Sequence, residues 1–362
     1  MVDGGGSVSL ISRLFSNNVG RNRVNIVVCT HNDSDHAKGI LGLLKSEICC
    51  KELWLPASWY QRLNDLLQRP SEFLSELNLN VTESQSNGKT GTSGFLKFDD
   101  FLDPIYKRLQ TQNNDANNIE LKMETLESDA RQNVCGLYNS FEAHFSSFLA
   151  CLDTLGPTVT PGTFHLKSAA RAAFRMGNIY LNAIKKKAHI RWFEYDADQP
   201  ACGGEKNFLI PVNSRETSTW RNRKMSAIEY VALTAINTES LVFYSPRTDN
   251  CLGTLFTSDS NLEFKQSIDW HDGMIVTAPH HGSESNYESY QRFAKEADSK
   301  IEVNWVRSDG NFKRNPGESY LALTGPRFCT LCRNCGKPKQ SVNLTLRGGK
   351  WVPVGTRKCC CK

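Results

Sequence analysis

The sequence predicts an α/β protein that is interrupted by a helical segment and ends in a basic, cysteine-rich tail. Residues 24–29 form a continuous apolar run, which is typical of a buried strand, and a helix and a second strand are expected soon after it. Strand-like runs return after residue 188. With 39% hydrophobic and 22% charged residues, the 362-residue chain has enough apolar content for a packed core, which excludes wholesale disorder.

Four segments follow from this pattern: a first α/β part over 1–58, a mainly helical insertion over 59–188, a second α/β part over 189–324 and a tail over 325–362. The first two segments are expected to contain a helix over 39–45, a strand over 52–56 and a flexible stretch over 83–94. The strands expected in the second α/β part run over 189–195, 208–212, 240–244, 254–257, 274–277 and 301–306.

The chain has the character of a cytoplasmic protein. No apolar run approaches the ~20 residues that span a bilayer, and residues 1–20 lack the pattern of an export signal. The thirteen cysteines are therefore expected to be reduced thiols or metal ligands and not a disulfide framework. Residues 1–6 look like the end of a strand that enters a tight glycine turn, so we expect the given sequence to begin inside a sheet.

Positive charge is concentrated in two places. Residues 325–362 contain nine Lys or Arg and no Asp or Glu, so the other 324 residues carry a formal net charge of −4 although the whole chain carries +5. Such asymmetry indicates a polyanionic partner, nucleic acid before membrane. A second basic stretch, over 162–192, predicts a nucleic-acid-binding helix ridge, with an ordinary solvated helix face as the alternative. The ridge residues are Lys167, Arg171, Arg175, Lys185, Lys186 and Lys187.

Four potential metal ligands lie within six residues, directly after the first apolar run: His31, Asp33, Asp35 and His36. Oxygen and imidazole ligands together suit zinc, manganese or iron, and the absence of thiolate argues against a purely structural zinc. The alternative is a polar turn with two capping aspartates.

Two later strands also end in potential ligands. Asp259 follows the strand over 254–257, and His280 and His281 follow the strand over 274–277. Because the loops after strands form the sites of α/β proteins, we expect these residues to belong to a catalytic arrangement.

These motifs resemble those of metallo-β-lactamase-fold hydrolases, in the ComEC/Rec2-like branch. The stretch 31–36 follows the family signature with Asp at the second ligand position, and 279–283 matches the Pro-His-His-Gly-Ser of the branch. Asp3-Gly4 matches an early Asp-Gly turn, and 237–242 matches an Asn-x-x-Ser strand. The resemblance covers roughly 1–58 and 230–324, and it implies an αββα sandwich interrupted by the helical insertion.

The resemblance also implies a dinuclear site in which two divalent ions, Zn or Mn, share a bridging hydroxide. The implied metal ligands are His31, Asp33, Asp35, His36, Asp259 and His281. His31 and Asp33 would serve one ion, and Asp35 and His36 the other. The implied catalytic residues are Asp35, as the proton acceptor, and His280, which would face the substrate; the division of roles between His280 and His281 stays open.

The cysteines of the tail have the spacing of a zinc ribbon, with a predicted hairpin between two groups. The preferred ligands of one structural zinc are Cys332, Cys335, Cys359 and Cys361, and Cys329 could replace one of them. So short a segment has little core of its own, so the zinc would stabilise it. The alternative is a frayed, thiol-rich tail.

Together these features predict a metal-dependent phosphodiesterase or nuclease that acts on DNA or RNA. Two alternatives remain: a small-molecule phosphodiesterase or esterase of the same fold, and a non-catalytic scaffold that binds nucleic acid or protein. The helical insertion is where a protein partner would bind.

Overall fold

The computed structural model describes residues 1–86, 97–112, 120–154, 160–249, 251–298, 300–308, 315–332 and 339–361. Within these ranges the chain is a mixed α/β protein with eleven α-helices and with both parallel and antiparallel strand pairs. It divides into two compact units: Met1–Trp192 with Thr217–Ile236, and Phe193–Glu216 with Asn237–Lys362. The predicted segment ends near 58 and 188 do not coincide with the ends of these units.

Eleven α-helices and fourteen β-strands follow one another along the described residues. The first eleven are α1 (Leu10–Val19), β1 (Arg23–Val28), α2 (Ser34–Lys45), β2 (Cys49–Pro56), α3 (Leu63–Gln68), α4 (Pro70–Ser86), α5 (Phe98–Gln112), β3 (Glu120–Lys122), α6 (Glu124–Gln132), α7 (Val134–Thr154) and α8 (Pro161–Lys185). The remainder are β4 (His189–Tyr195), β5 (Ile210–Pro211), β6 (Ser214–Thr217), β7 (Thr219–Arg221), α9 (Ala227–Ala235), β8 (Phe243–Thr248), β9 (Cys251–Phe256), β10 (Ile275–Thr277), α10 (Tyr287–Glu296), β11 (Asn304–Arg307), α11 (Glu318–Leu321), β12 (Arg327–Cys329), β13 (Leu344–Arg347) and β14 (Lys350–Pro353).

In the first unit, the predicted strands at its N-terminal end are confirmed as β1 and β2. They pair in parallel, with Val24 opposite Cys50 and Val28 opposite Trp54. With β4 and β6 they form a four-stranded sheet in the order β1-β2-β4-β6. Val2 forms a parallel bridge to Val28, so the first residues do run beside a strand before the glycine turn, as expected.

The predicted helical segment is confirmed as mainly helical, with the short strand β3 as an exception. Its helices share one hydrophobic core with β1 and α2, in which Val27, Leu43 and Ile179 are fully buried. Burial of each such side chain contributes roughly 1.5–3 kcal/mol, so the segment is part of the first unit's core and not an appended domain. The expected flexible stretch over 83–94 is wrong for its first four residues, since α4 continues to Ser86; 87–94 lie outside the described residues.

In the second unit, a six-stranded sheet has the order β12-β11-β10-β9-β8-β5. Strands β9 to β12 are parallel, whereas β8 pairs antiparallel with both β9 and β5. The strands predicted over 189–324 are all found, although β8 begins three residues later than expected and β5 is only two residues long. The parallel strands end at one edge, which is where Asp259 and the two histidines follow β9 and β10.

The tail contains the predicted hairpin, because β13 and β14 pair antiparallel with Leu346 opposite Trp351. Its first residues are not separate from the sheet, however, since β12 pairs in parallel with β11. The expected boundary at 324 therefore falls before a strand of the six-stranded sheet. Among the residues that the structure describes, no helix is both long enough and apolar enough to cross a membrane.

Candidate metal centres

The first group of predicted ligands occupies the loop between β1 and α2 in the first unit. Asp33 is the N-cap of α2, and its side chain accepts a hydrogen bond from the Ser34 amide at 2.6 Å. The capping alternative is thus realised for Asp33. The ligand atoms of His31 and His36 lie within 4.8 Å of each other, and so do those of Asp35 and His36. The expected neighbours Asp35 and His36 are therefore brought together, whereas Asp33 is used to start the helix.

Asp3 holds both histidines of this loop. Its carboxylate lies 2.8 Å from Nδ1 of His36 and accepts the hydroxyl of Thr30 at 2.9 Å. The Thr30 hydroxyl oxygen lies in turn 3.0 Å from Nδ1 of His31. A carboxylate only accepts and a hydroxyl has one proton to donate, so both imidazoles donate from Nδ1–H. Nε2 is then the nitrogen through which either ring could bind a metal ion, as in metal-binding histidines whose other ring N–H is held by a carboxylate.

Two glycines bring Asp3 to this position. A Cβ on Gly4 would lie 2.2 Å from the Ile40 amide nitrogen, and a Cβ on Gly39 would lie 1.7 Å from the Gly4 carbonyl oxygen. The turn after Asp3 therefore lies directly against α2, which only glycine at both positions permits. The Gly4 amide donates to the His36 carbonyl at 2.8 Å, and this fixes the turn beside the histidine that Asp3 holds.

The carboxylates of this loop have shifted pKa values. Burial raises the pKa of Asp3, but the His36 and His31 imidazoles and the hydrogen bonds outweigh it, so the pKa lies below its usual value. Burial, and then the neighbouring charge of Asp35, raise the pKa of Asp33. These two half-buried carboxylates repel each other, and a divalent cation would relieve that repulsion. The donor set of carboxylate and imidazole therefore fits a divalent ion such as Zn or Mn.

The second group of ligands lies in the second unit, at the carboxyl ends of β9 and β10. Asp259 is buried, and its Oδ2 lies 3.8 Å from Nε2 of His280. His280 has φ 45° and His281 has φ 56°, so two consecutive non-glycine residues occupy the left-handed region. Each such residue costs on the order of 1–3 kcal/mol, and strain of this kind collects at functional sites. The strained turn is held by the His280 amide, which donates to the Ser258 carbonyl at 3.0 Å.

Both histidines of this turn have the same tautomer as those of the first group. Asn286 donates from its side-chain nitrogen to the Asp259 carbonyl and to Asn261, so its oxygen accepts from Nδ1 of His280 at 2.8 Å. Nδ1 of His281 lies 3.1 Å from the Ser308 carbonyl oxygen, which can only accept. Nε2 is again the ligand nitrogen. The His280 side chain is 30% exposed and His281 is buried, which favours His281 as the ligand and His280 as the group that faces the substrate.

The prediction of a nucleic-acid-binding ridge on α8 is wrong for one residue, Arg175. Arg175 is buried, and its guanidinium donates to the carbonyl and, at 3.1 Å, to the side-chain oxygen of Asn32 in the β1–α2 loop. Asn32 is further held by Ala172 and Thr234, at 3.0 Å each. Arg175 therefore positions the loop that carries the first ligands and is not available to nucleic acid.

Four of the other five ridge residues have side-chain partners within the protein. Lys167 and Arg171 lie beside Asp153, Lys185 lies over the ring of Tyr138, and Lys186 donates to the Ser46 carbonyl at 2.6 Å. Lys167 and Lys186 are half-buried, and the side chains that remain exposed are Arg171, Lys185 and Lys187. The exposed charge of α8 is smaller than the sequence predicts.

A cluster of four thiols lies in the second unit: Cys329, Cys332, Cys359 and Cys361, with all sulfur atoms within 4.8 Å of one another. The sulfur of Cys332 lies 3.9 Å from that of Cys359 and 3.5 Å from that of Cys361. A zinc ion with four sulfurs at ~2.3 Å requires tetrahedron edges of about 3.8 Å, so the set fits one structural zinc. Cys329 is thus one of the four, which is the alternative ligand that the sequence analysis left open. Cys335 lies outside the described residues.

One thiol of the cluster, that of Cys359, has a lowered pKa and therefore favours the thiolate form. A hydrogen bond from Cys329 lowers the pKa of Cys359 to about 5, and the same contact raises the pKa of Cys329. The Cys361 amide donates to the Cys359 sulfur at 3.4 Å. Cys360 is disulfide-bonded, so the expectation of reduced thiols is wrong for this residue. Of the cysteines outside the tail, Cys29 and Cys50 are buried, whereas Cys49, Cys135, Cys151 and Cys202 are exposed.

Comparison with known proteins gives no relative for these sites. No family model, no curated protein and no solved structure matches this chain. What the sites do is therefore inferred from their residues and geometry. The positioning residues Thr30, Asn286, Ser308 and Arg175 have no local sequence signal, since each acts through a partner that the fold brings to it; Asp3 is signalled only by the Asp-Gly turn.

Proposed function

We propose that this chain is a metal-dependent hydrolase of the metallo-β-lactamase fold and that it acts as a phosphodiesterase or nuclease on DNA or RNA. The observation that carries the proposal is the common tautomer of four histidines that follow strands: His31, His36, His280 and His281. Each ring donates from Nδ1 to an oxygen of the protein, which leaves Nε2 as the ligand atom. Metal-binding histidines typically make this hydrogen bond. In each group a carboxylate, that of Asp35 or Asp259, also lies beside a histidine as an oxygen donor.

The proposed ligands are those that the family resemblance implies, His31, Asp33, Asp35, His36, Asp259 and His281. The resemblance implies that these ligands belong to one dinuclear site. Divalent ions, when bound, supply positive charge against a phosphate and activate water at neutral pH. Zn and Mn both suit imidazole and carboxylate ligands. The αββα sandwich is likewise proposed from the resemblance, supported by the presence of two mainly parallel or mixed sheets with helices.

The chain's own residues hold and move protons at stated atoms. Asp3 keeps the proton on Nδ1 of His36, and Asn286 keeps it on Nδ1 of His280. His280 can therefore take up or release a proton only at Nε2, 3.8 Å from Asp259. We propose that His280 serves the substrate or leaving group there, and that Asp35 is the proton acceptor of the first unit.

One zinc ion in the thiol cluster is the second part of the proposal. Its four ligands are Cys329, Cys332, Cys359 and Cys361, supported by the sulfur distances and by the thiolate at Cys359. The role of this ion is structural, because four cysteines complete its coordination and leave no position for substrate.

The nucleic-acid substrate is proposed from charge. Four basic side chains of the tail are exposed on or after the hairpin: Arg347, Lys350, Arg357 and Lys358. With no acidic residue in 325–362, this surface would attract a phosphate backbone and make binding dependent on salt. A cytoplasmic location and a protein partner at the helical segment are further proposals from the sequence.

The test is a cleavage assay on single- and double-stranded DNA and RNA with added Mn²⁺ or Zn²⁺. The wild type is compared with an Asp35→Ala, His36→Ala double variant, and with His144→Ala as the matched control. His144 is exposed on α7, and its Nδ1 donates to the Ser140 carbonyl of the same helix at 2.7 Å. We expect cleavage by the wild type and by the control, and loss of at least a hundredfold in the double variant.

The outcomes separate the alternatives. Hydrolysis of bis-p-nitrophenyl phosphate without cleavage of nucleic acid would indicate a small-molecule phosphodiesterase. Inactivity on every substrate, together with binding of nucleic acid, would indicate a non-catalytic scaffold. Equal cleavage by the wild type and the double variant would refute the proposed site.

A further inference from the structure

We propose that the thiol cluster positions His281 through the side chain of Arg307, so that filling the structural zinc site sets the affinity of the hydrolytic site. This inference rests on the proposed function in two respects: that His281 is a metal ligand and that the thiol cluster binds one zinc ion. Arg307 is a positioning residue, since it contacts neither substrate nor metal. All of its contacts described below lie within the second unit.

On one side, Arg307 is bound to the segment that carries the cysteines. Its Nη2 donates to the Leu331 carbonyl at 3.1 Å and lies 3.9 Å from the sulfur of Cys361. Its own carbonyl accepts from the Thr330 amide at 3.0 Å, between Cys329 and Cys332 in the chain. A negatively charged zinc–thiolate group would attract this guanidinium. Movement of the segment 329–332 would carry Arg307 with it.

On the other side, Arg307 lies against the turn that carries His281. A Cβ on Gly282 would lie 2.9 Å from Cδ of Arg307, so the arginine stem is in direct contact with the residue after the histidine. Ser308, the next residue after Arg307, accepts from Nδ1 of His281 through its carbonyl at 3.1 Å, and its hydroxyl lies 2.8 Å away. The orientation of the His281 ring therefore depends on where the backbone at 307–308 lies.

Burial makes the link stiff. Arg307 is fully buried, so its guanidinium cannot exchange these partners for water. His281 is also buried, and its backbone is strained, with φ 56°. A strained turn keeps its conformation only while its surroundings hold it, and Arg307 is part of those surroundings. If the segment 329–332 became mobile, Arg307 would lose its fixed position, and the ring of His281 would lose its fixed orientation.

The experiment measures Mn²⁺ affinity by electron paramagnetic resonance, in full-length protein whose thiol site is filled with one zinc ion. Mn²⁺ prefers oxygen and imidazole and avoids thiolate, so it reports on the histidine site alone. We expect Arg307→Met to bind Mn²⁺ about 10–100-fold more weakly than the wild type, which is the usual effect of losing a residue that orients a metal ligand. Arg307→Lys should recover part of the affinity. Cys361→Ser should weaken Mn²⁺ binding in the same direction.

Arg327→Met is the matched control. Arg327 also bonds to the cysteine segment, at the Cys361 carbonyl, and to the Leu321 carbonyl at 2.6 Å. Among the described residues, its guanidinium donates to no atom of the His281 turn. We expect this variant to keep the Mn²⁺ affinity of the wild type. Equal affinity in Arg307→Met and the wild type, with both folded by circular dichroism, would overturn the inference.

A second readout does not depend on the hydrolytic metal. In ¹⁵N-histidine-labelled protein without Mn²⁺, we expect His281 to be protonated at Nδ1 when the thiol site holds zinc, and to become a mixture of tautomers when zinc is removed or Arg307 is replaced. An unchanged His281 signal in both cases would refute the link. If the wild type binds no Mn²⁺ at all, the proposed function fails, and this signal alone decides the inference.

Discussion

At the scale of single residues, the β1–α2 loop is defined by side chains that bind its backbone from a distance. Asn32 is fully buried, and its carbonyl and side-chain oxygens both accept from Arg175, 143 residues later in the chain. His31 and His36 are held in the same way by Asp3 and Thr30. The ligands of this loop are thus preorganised by neighbours that have no ligand role themselves.

Replacement of Arg175 by Met should lower the free energy of unfolding by about 2 kcal/mol, because two buried acceptors of Asn32 lose their donor and each unsatisfied group costs about 1–3 kcal/mol. Part of this loss is offset because the buried charge is also removed. Arg171→Met, one turn earlier on α8 and exposed, should change stability by less than about 0.5 kcal/mol. Urea unfolding of both variants measures the difference, and equal effects would contradict the role assigned to Arg175.

Asp3→Asn should weaken Mn²⁺ binding by about 10–100-fold, because the charge that orients His36 and raises its basicity is lost. The exposed Asp129 of α6 supplies the control variant, Asp129→Asn, whose affinity should equal that of the wild type. Titration followed by electron paramagnetic resonance measures both. An unchanged affinity in Asp3→Asn would show that His36 does not need this carboxylate.

At the scale of secondary structure, β2 and β4 are joined by a polar cluster on the edge of the core. Glu52 accepts from Trp54 and from Arg191, at 3.1 Å each, and the Arg191 guanidinium lies 4.7 Å from the centre of the Trp54 ring. Burial raises the pKa of Glu52, but these hydrogen bonds outweigh it and the pKa lies below its usual value. The carboxylate therefore stabilises the folded state when it is ionised.

The stability of the wild type should fall more steeply between pH 5 and pH 3 than that of Glu52→Gln. A group whose pKa is lowered on folding stabilises the protein above its unfolded pKa, about 4.3, and that contribution is lost as the pH falls through the folded value. Glu47→Gln, at an exposed position, should keep the wild-type profile. Thermal unfolding across this pH range compares the three, and parallel profiles for all of them would contradict the assignment.

We expect the tail hairpin to depend on the proposed zinc ion for its stability. A two-stranded hairpin is marginal alone in water, and β13 and β14 have only half-buried apolar side chains between them. Removal of zinc by a chelator should therefore expose Cys329 and Cys332, which are buried, to a thiol reagent. Cys29, which is fully buried in the first unit, should stay unreactive with and without zinc. Mass spectrometry of the labelled peptides measures this, and protection that persists without zinc would refute the zinc requirement.

At the scale of the whole molecule, charge is distributed unevenly. The formal net charge is +5, yet the residues before 325 carry −4. On α8, Lys167 pairs with Asp153, Lys185 lies over the ring of Tyr138, and Arg175 donates to Asn32. The tail is therefore the surface on which nucleic-acid binding is expected to depend.

Replacement of Arg347, Lys350, Arg357 and Lys358 by Gln should weaken binding to a DNA duplex and reduce the slope of log affinity against log salt by up to about 3.6, at about 0.9 per phosphate contact. The double variant Arg171→Gln, Lys187→Gln on α8 should change the slope less. These substitutions leave β12 in place, which deletion of 325–362 would not. Fluorescence anisotropy at several salt concentrations gives the slopes, and an unchanged slope in the tail variant would rule out this surface.

The sequence predicted much of the fold, because its strongest signals are local. The run over 24–29 is apolar without interruption, and it forms β1; the alternation over 341–354 forms the hairpin. The basic ridge on α8 was predicted from a spacing of four residues, and the prediction is wrong for Arg175, the third residue in that series. Each step of four rotates a side chain by about 40°, so Arg175 lies about 80° around the helix from Lys167, on the side that packs into the core.

The sequence by itself determined which chemical groups stand at the ends of which strands, since ligand-bearing loops and apolar runs are properties of neighbouring residues. It also placed the cysteines that could bind zinc. Only the tertiary structure decided that Asp3 holds His36, that the Ser308 carbonyl accepts from His281, and that Arg175 and Arg307 bind the backbone of distant loops. Those outcomes depend on hydrogen bonds between residues far apart in the chain, whose partners become known only when the strands and helices have packed.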